Sequence, residues 1–90
     1  MGLNMNHLEE YFRIAMNKNM KYIGVKIEMY GFPKAEIIIN ENANFQSKLE
    51  YYKKSYNDDL TLKTFNGIKI VGITYGNTFE EIEEGLLNWN

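Results

Sequence analysis

Cysteine is absent from these 90 residues, and proline, tryptophan, histidine and arginine each occur once. Without cysteine there can be no disulfide and no thiolate metal site. A domain of this size must then be held by its core, and the cytoplasm is its simplest home. One histidine, His7, and two serines, Ser47 and Ser55, leave little material for nucleophilic catalysis, which needs an activated nucleophile beside a base. Both serines fall inside a predicted helix, and His7 reads as a solvent-facing helix residue packing against Tyr11, four positions on. Ten basic residues against twelve acidic ones give a net charge of −2, which supplies no general field for nucleic acid or an anionic membrane. No apolar run approaches the roughly 20 residues of a bilayer span. The opening Met1–Asn6 segment lacks the basic-then-apolar pattern of a secretory signal. The expectation is one soluble, cytoplasmic domain over residues 1–90, with no catalytic residues, metal site, cofactor or membrane partner.

What the chain does contain is clear periodicity. Leu8, Tyr11, Phe12, Ala15 and Met16 recur at helical spacing over Asn6–Met16, with Asn6 as the expected N-cap and Glu9 three residues later. From Lys21 to Met29 the period changes to two, with Ile23, Val25, Ile27 and Met29 on one side and Tyr22, Gly24, Lys26 and Glu28 on the other. Tyr30-Gly31-Phe32-Pro33-Lys34 supplies turn chemistry before a second strand over Ala35–Ile39, predicting a hairpin with a longer loop. Phe45, Leu49, Tyr52 and Tyr56 form one stripe of a second helix, flanked by Lys48 and Lys53. Asn66-Gly67 between Leu60–Phe65 and Ile68–Tyr75 predicts a second hairpin with a two-residue turn at that dipeptide. Thr78-Phe79-Glu80-Glu81 is a capping box for a last helix, lined by Phe79, Ile82, Leu86 and Trp89. The order α-β-β-α-β-β-α predicts an α+β fold: a four-stranded antiparallel sheet from two hairpins, with helices packed mainly on one face.

The chemistry-bearing groups have plain structural roles. Asp58-Asp59 sits where a turn must form, and Glu80, Glu81, Glu83 and Glu84 suit helix capping and solvation better than a cation site. Gly72-Ile73-Thr74-Tyr75-Gly76-Asn77-Thr78 lacks the further glycines and the lysine of a phosphate-binding turn. A stacking platform for nucleic acid would use Tyr22 and Phe65 with Lys26 and Lys63, but Glu28 and Glu36 dilute that face. Nucleic acid is therefore disfavoured as a partner.

Surplus apolar side chains remain. The predicted turn leaves Tyr22, Ile38, Phe65, Ile68 and Ile70 on the sheet face away from the helices. Either the first or the last helix crosses to bury them, or they form a contact surface. Tyr30 and Phe32 at the loop tip are a second candidate surface, since exposed aromatics make good anchors.

The stretches Tyr22–Ile27, Gly31–Pro33, Glu36–Asn40, Lys48–Tyr52 and Asn57–Lys63 together resemble small prophage-borne proteins of low-GC Gram-positive bacteria. Such proteins are generally of unassigned function, so the resemblance implies a phage context and no particular activity. The leading expectation is a non-enzymatic protein–protein interaction module, phage-derived, with a protein partner and a possible homodimer. The alternatives are a nucleic-acid-associated accessory protein, or a phage inhibitor of a host enzyme or defence system that uses the acidic last helix to imitate a phosphate backbone.

Overall fold

The computed structural model describes residues 3–87. Among them the elements run α1 (Met5–Asn17), β1 (Tyr22–Met29), β2 (Glu36–Glu41), a 3-10 turn (Asn42–Asn44), α2 (Phe45–Ser55), β3 (Thr61–Leu62), β4 (Phe65–Gly76) and α3 (Phe79–Leu87). The strands form one antiparallel sheet in the order β2-β1-β4-β3. The fold is α+β with the expected element order.

Helix α1 starts earlier than its periodicity suggests. Asn4, not Asn6, is the N-cap: its side chain accepts from the His7 backbone N–H at 3.0 Å, and its own N–H donates to His7 Nδ1 at 3.1 Å. His7 thus closes a reciprocal box in the place where glutamate is usual, and its ring must carry any neutral-state proton on Nε2. The extra turn is held because Met5 is buried and donates its N–H to the Asp58 carbonyl at 2.9 Å. At the other end Asn19 takes φ 55°, and the Met20 N–H reaches back to the Ala15 carbonyl at 2.9 Å, a left-handed C-terminal cap.

The main core lies between the sheet and the α1/α2 layer. Leu8, Phe12 and Ala15 of α1 meet Phe45, Leu49 and Tyr52 of α2, with Tyr56 just beyond it, over Ile23, Val25, Ile70 and Ile73 of the sheet. Phe12 packs edge-on against Phe45, with ring centroids 6.0 Å apart. Among the described residues Asn40 is the buried polar side chain other than tyrosine: it donates to the Ile23 carbonyl at 3.2 Å and accepts from the Tyr52 hydroxyl at 3.4 Å. Its polar atoms are thereby satisfied, as burial requires.

The second hairpin differs from expectation in two ways. Leu62 pairs with Phe65, so the chain reverses at Lys63-Thr64, and Asn66-Gly67 lies inside β4. The dipeptide is held there by partners from the first hairpin: Ile68 pairs with Met29, and the Gly67 carbonyl accepts from the Tyr30 N–H at 2.7 Å. The second difference is a bulge. Lys26 pairs with Gly72 but Ile27 pairs with Ile70, which leaves Val71 as an extra residue. The slip puts Ile70 on the same face as Ile73, and both are fully buried. Ile68 follows and packs half-buried against that core. Ile70 and Ile68 therefore leave the surplus face to which a straight strand would assign them.

Of the two explanations for that face, a crossing helix is the one realised. Helix α3 lies on the side of the sheet opposite α1 and α2, burying Ile82 and Leu86. It sits over Gly24, where a Cβ would overlap Ile82 Cγ2 and come within 3.2 Å of Leu86 Cδ1. Packing on one face thus describes α1 and α2, with α3 opposite. The capping box forms with one change: Glu81 N–H donates to Thr78 Oγ1 at 3.1 Å, while Glu81 Oε1 accepts from Asn77 N–H at 2.6 Å. Trp89 lies outside the described residues.

Replacing Gly24 by valine is expected to cost about 1–3 kcal/mol by overpacking. Hydrogen exchange should show the loss as faster exchange of the α3 amides, with α1 largely protected. Replacing Ile70 by lysine buries an unpaired charge and is expected to abolish cooperative unfolding in urea.

Candidate protein-binding surface

Three of the five exposed aromatics among the described residues, Tyr30, Phe32 and Phe65, lie toward one end of the sheet, while Tyr51 and Phe79 lie elsewhere. The Phe32 N–H donates to the Met29 carbonyl at 3.0 Å, closing a four-residue turn in which Gly31 takes φ 88° at the third position. A residue with a side chain would be strained there, so glycine sets the turn type. The turn throws the flanking side chains outward: Tyr30 is 85% exposed and Phe32 66%. Phe65 (50% exposed) follows the β3–β4 turn, and its ring lies over Gly67, close enough that a Cβ there would meet Phe65 Cζ at 2.6 Å. Tyr30, Phe32, Asn66 and Gly67 line one open depression of about 410 Å³ at this end.

The loop is a ridge with a second hollow on its far side. A groove of about 750 Å³ runs between the loop and α3, with Pro33, Ala35, Ile37 and Leu86 on its apolar surfaces. Leu87, 78% exposed, stands at its edge. Glu80, Glu83 and Glu84 line the helix side, while Lys26 and Lys34 line the sheet and loop side. The Lys26 ammonium donates to the Leu86 carbonyl at 3.4 Å, where a cation suits the negative end of the α3 dipole. Both hollows share Glu28, Pro33 and Ala35, so the two form one continuous surface around the loop.

The seven sequence-derived surface residues separate. Tyr30 and Phe32 line the depression at this end of the sheet, and Phe65 is exposed beside Asn66 and Gly67, which also line it. Tyr22 is half-buried under α3, its ring 4.9 Å from that of Phe79. Ile38 pairs with Val25 and so lies on the α1/α2 face, opposite Tyr22, at 36% exposure. Ile68 packs against the main core and Ile70 is inside it. Leu87 and Ile37 were not anticipated. For Leu87 the signal was present: adjacent Leu86 and Leu87 point about 100° apart on a helix, so one of them must leave the core.

The chemistry-bearing groups keep structural roles. Asp59 accepts from the Thr61 hydroxyl at 2.6 Å and the Thr61 N–H at 3.1 Å, and these bonds hold its carboxyl below the usual range. The ion pair with Lys53, at 2.7 Å, lowers Glu9 similarly. Among the described residues no group of His, Asp and Glu is arranged to hold a metal ion, and no helix is long and apolar enough to cross a membrane. The strongest perturbation belongs to the core: burial pushes the Tyr52 hydroxyl up to about 12, against a partial opposing effect from Asn40. Tyr56 is raised for the same reason.

No family model, curated protein or solved structure matches this chain.

Tyr52 holds its proton more tightly when folded than unfolded, so its contribution is complete below pH ~10 and disappears as pH rises toward 12. A shift of this size corresponds to roughly 2–3 kcal/mol. Urea unfolding across pH 8–12 should show this alkaline loss. Tyr52→Phe should flatten the profile while lowering stability near pH 8 by about 1 kcal/mol, because Asn40 loses its donor.

Proposed function

We propose that this chain is a small, cytoplasmic, phage-derived protein–protein interaction module without catalytic activity. Its partner is a protein segment with apolar anchors flanked by lysine or arginine. The observation that carries the reading is the loop end of the sheet, where Tyr30, Phe32 and Phe65 are exposed near a groove with Glu80, Glu83 and Glu84 on its helix side and Lys26 and Lys34 opposite. Large aromatics are the side chains that most often anchor interfaces, and the surrounding charge selects the sign of the partner. Phage origin follows from the prophage resemblance of the sequence.

The nucleic-acid alternative is disfavoured by the position of α3. A stacking platform would need Tyr22 and Lys26 open to the strand, yet Tyr22 lies against Phe79 and Lys26 is engaged with Leu86. Glu80, Glu81, Glu83 and Glu84 belong to the helix that covers that face. A phosphate backbone would approach across this acidic strip.

Random-peptide display followed by NMR mapping tests the proposal. Selected peptides are expected to carry an aromatic or aliphatic anchor with basic neighbours, and to shift amides in residues 30–35 and 83–87. Phe32→Ser should weaken them at least tenfold, about 1.4 kcal/mol, and Glu83→Lys should reduce their salt-dependent association. Shifts confined to other surfaces, or unchanged affinity in both variants, would refute the reading. Binding of single-stranded oligonucleotides at low salt would favour the alternative.

A further inference from the structure

The sheet has two edges, and they are treated differently. On one side β3, a strand of two residues, covers β4 only between Phe65 and Lys69, and residues 71–76 of β4 continue past it as the edge. The other ends in β2, six residues reading Glu-Ile-Ile-Ile-Asn-Glu, which contains no proline, lysine or bulge to block a further strand. Ile37 is 41% exposed on the α3 face of this edge and Ile38 36% exposed on the α1/α2 face.

The ladder shows which backbone groups are free. Asn42 N–H donates to the Lys21 carbonyl at 2.9 Å, so these two residues form a hydrogen-bonded pair in register with the strands. Hydrogen-bonded and non-hydrogen-bonded pairs alternate in an antiparallel ladder. Glu36, Ile38 and Asn40 therefore aim their backbone groups at β1, while Ile37, Ile39 and Glu41 aim theirs outward. Among the described residues those three make no backbone hydrogen bond on the outer side.

We propose that β2 pairs with β2 of a second copy, antiparallel about a two-fold axis through Ile38, to make one continuous sheet across a homodimer. The occupant follows from the strand's complementarity to itself. A two-fold axis normal to the sheet keeps each face aligned, so the axis must pass through a residue. Centred on Ile38, the register sets Ile38 against the partner's Ile38, Ile37 against the partner's Ile39, and Glu36 against the partner's Asn40. Apolar side chains meet on both faces and no like charges lie opposite. Ile37 and Ile39 are also the residues whose backbone groups face outward, so these pairs exchange the ladder hydrogen bonds. Centring on Ile39 instead sets Ile37 against the partner's Glu41, and the apolar match is lost. This interface meets the groove at Ile37 but uses neither the aromatic loop tip nor the glutamates of α3, so the two proposals are tested by different residues.

The absence of cysteine permits a direct test. At a non-hydrogen-bonded pair the Cα atoms are roughly 4.5 Å apart, inside the ~4.4–6.8 Å range that a disulfide spans. Oxidised Ile38→Cys is expected to form a disulfide-linked dimer in high yield, and Phe32→Cys at equal concentration is not. By light scattering the parent protein should have twice the chain mass. Ile38→Lys, which opposes two charges on the axis, should raise the dimer dissociation constant at least tenfold with an unchanged circular dichroism spectrum. Ile37→Pro, which removes an outward N–H and leaves the ladder to β1 intact, should do the same. A parent protein that stays monomeric across the concentration range would overturn the proposal. So would efficient cross-linking of the Phe32→Cys variant with none in the Ile38→Cys variant. If Ile38→Lys fails to fold, the cross-linking result decides.

Discussion

Strand β4 has to serve two layers at once, and most of the molecule follows from how it does so. Its apolar residues fall out of phase: Ile68 and Ile70 share one parity, Ile73 and Tyr75 the other. In an unbroken strand the two pairs would face opposite sides of the sheet. The slip at Val71 brings both pairs to the α1/α2 face, where Ile70 and Ile73 are fully buried and Ile68 and Tyr75 pack at the margin. The opposite face is left with Gly72, Thr74 and Gly76 on β4, next to Gly24 on β1. Such a surface has almost no side chains, so a helix can approach the backbone closely. Ile82 and Leu86 fill that space, and Gly85 rests against Thr74 from the helix side. The bulge and the crossing of α3 are thus one arrangement. Without the slip, isoleucine would stand where the helix packs.

This arrangement explains which features could be seen in the sequence. The helical stripe Phe45, Leu49, Tyr52 and Tyr56 was legible because burial on one face forces helical spacing, and all four are buried. The first hairpin was legible because alternation in β1 and turn residues at 30–34 are local signals. Strand parity in β4 was not, since a bulge is set by the partner strand and leaves no fixed mark in the chain that carries it. Asn66-Gly67 misled for a related reason. The dipeptide has the composition of a tight turn, but pairing with Met29 and Tyr30 from the first hairpin outweighs that preference. Asn40 reads as the start of a polar loop, yet Ile23 and Tyr52, distant in sequence, supply its partners and make its burial possible.

The same division holds for the candidate surface. Tyr30 and Phe32 were readable because Gly31 and Pro33 mark a loop, and large side chains on a loop tip have few neighbours to bury them. The groove was not readable, because its walls come from the first hairpin and α3, about 50 residues apart in sequence. Ile70 was misassigned with the bulge, and Ile38 was placed with Tyr22 although the pairing of Ile38 with Val25 sets it on the other face.

The two ends of the sheet are closed in different ways. Where β1 begins and β4 ends, long-range hydrogen bonds join the connecting segments. Lys21 N–H donates to Asn77 Oδ1 at 3.0 Å, Asn42 Nδ2 to the Met20 carbonyl at 2.8 Å, and the Lys18 ammonium to the Tyr75 hydroxyl at 3.4 Å. Polar side chains are spent there on closing the structure. At the opposite end the loop's bonds among the described residues are from backbone to backbone, Tyr30 N–H to the Gly67 carbonyl and Phe32 N–H to the Met29 carbonyl. The Tyr30 and Phe32 rings are left exposed. A backbone already held by hydrogen bonds removes part of the ordering cost of binding, although the exposed rings still give up rotamer freedom. Backbone hydrogen bonds beneath Tyr30 and Phe32, the two most exposed aromatics among the described residues, distinguish this end and support the site proposed there.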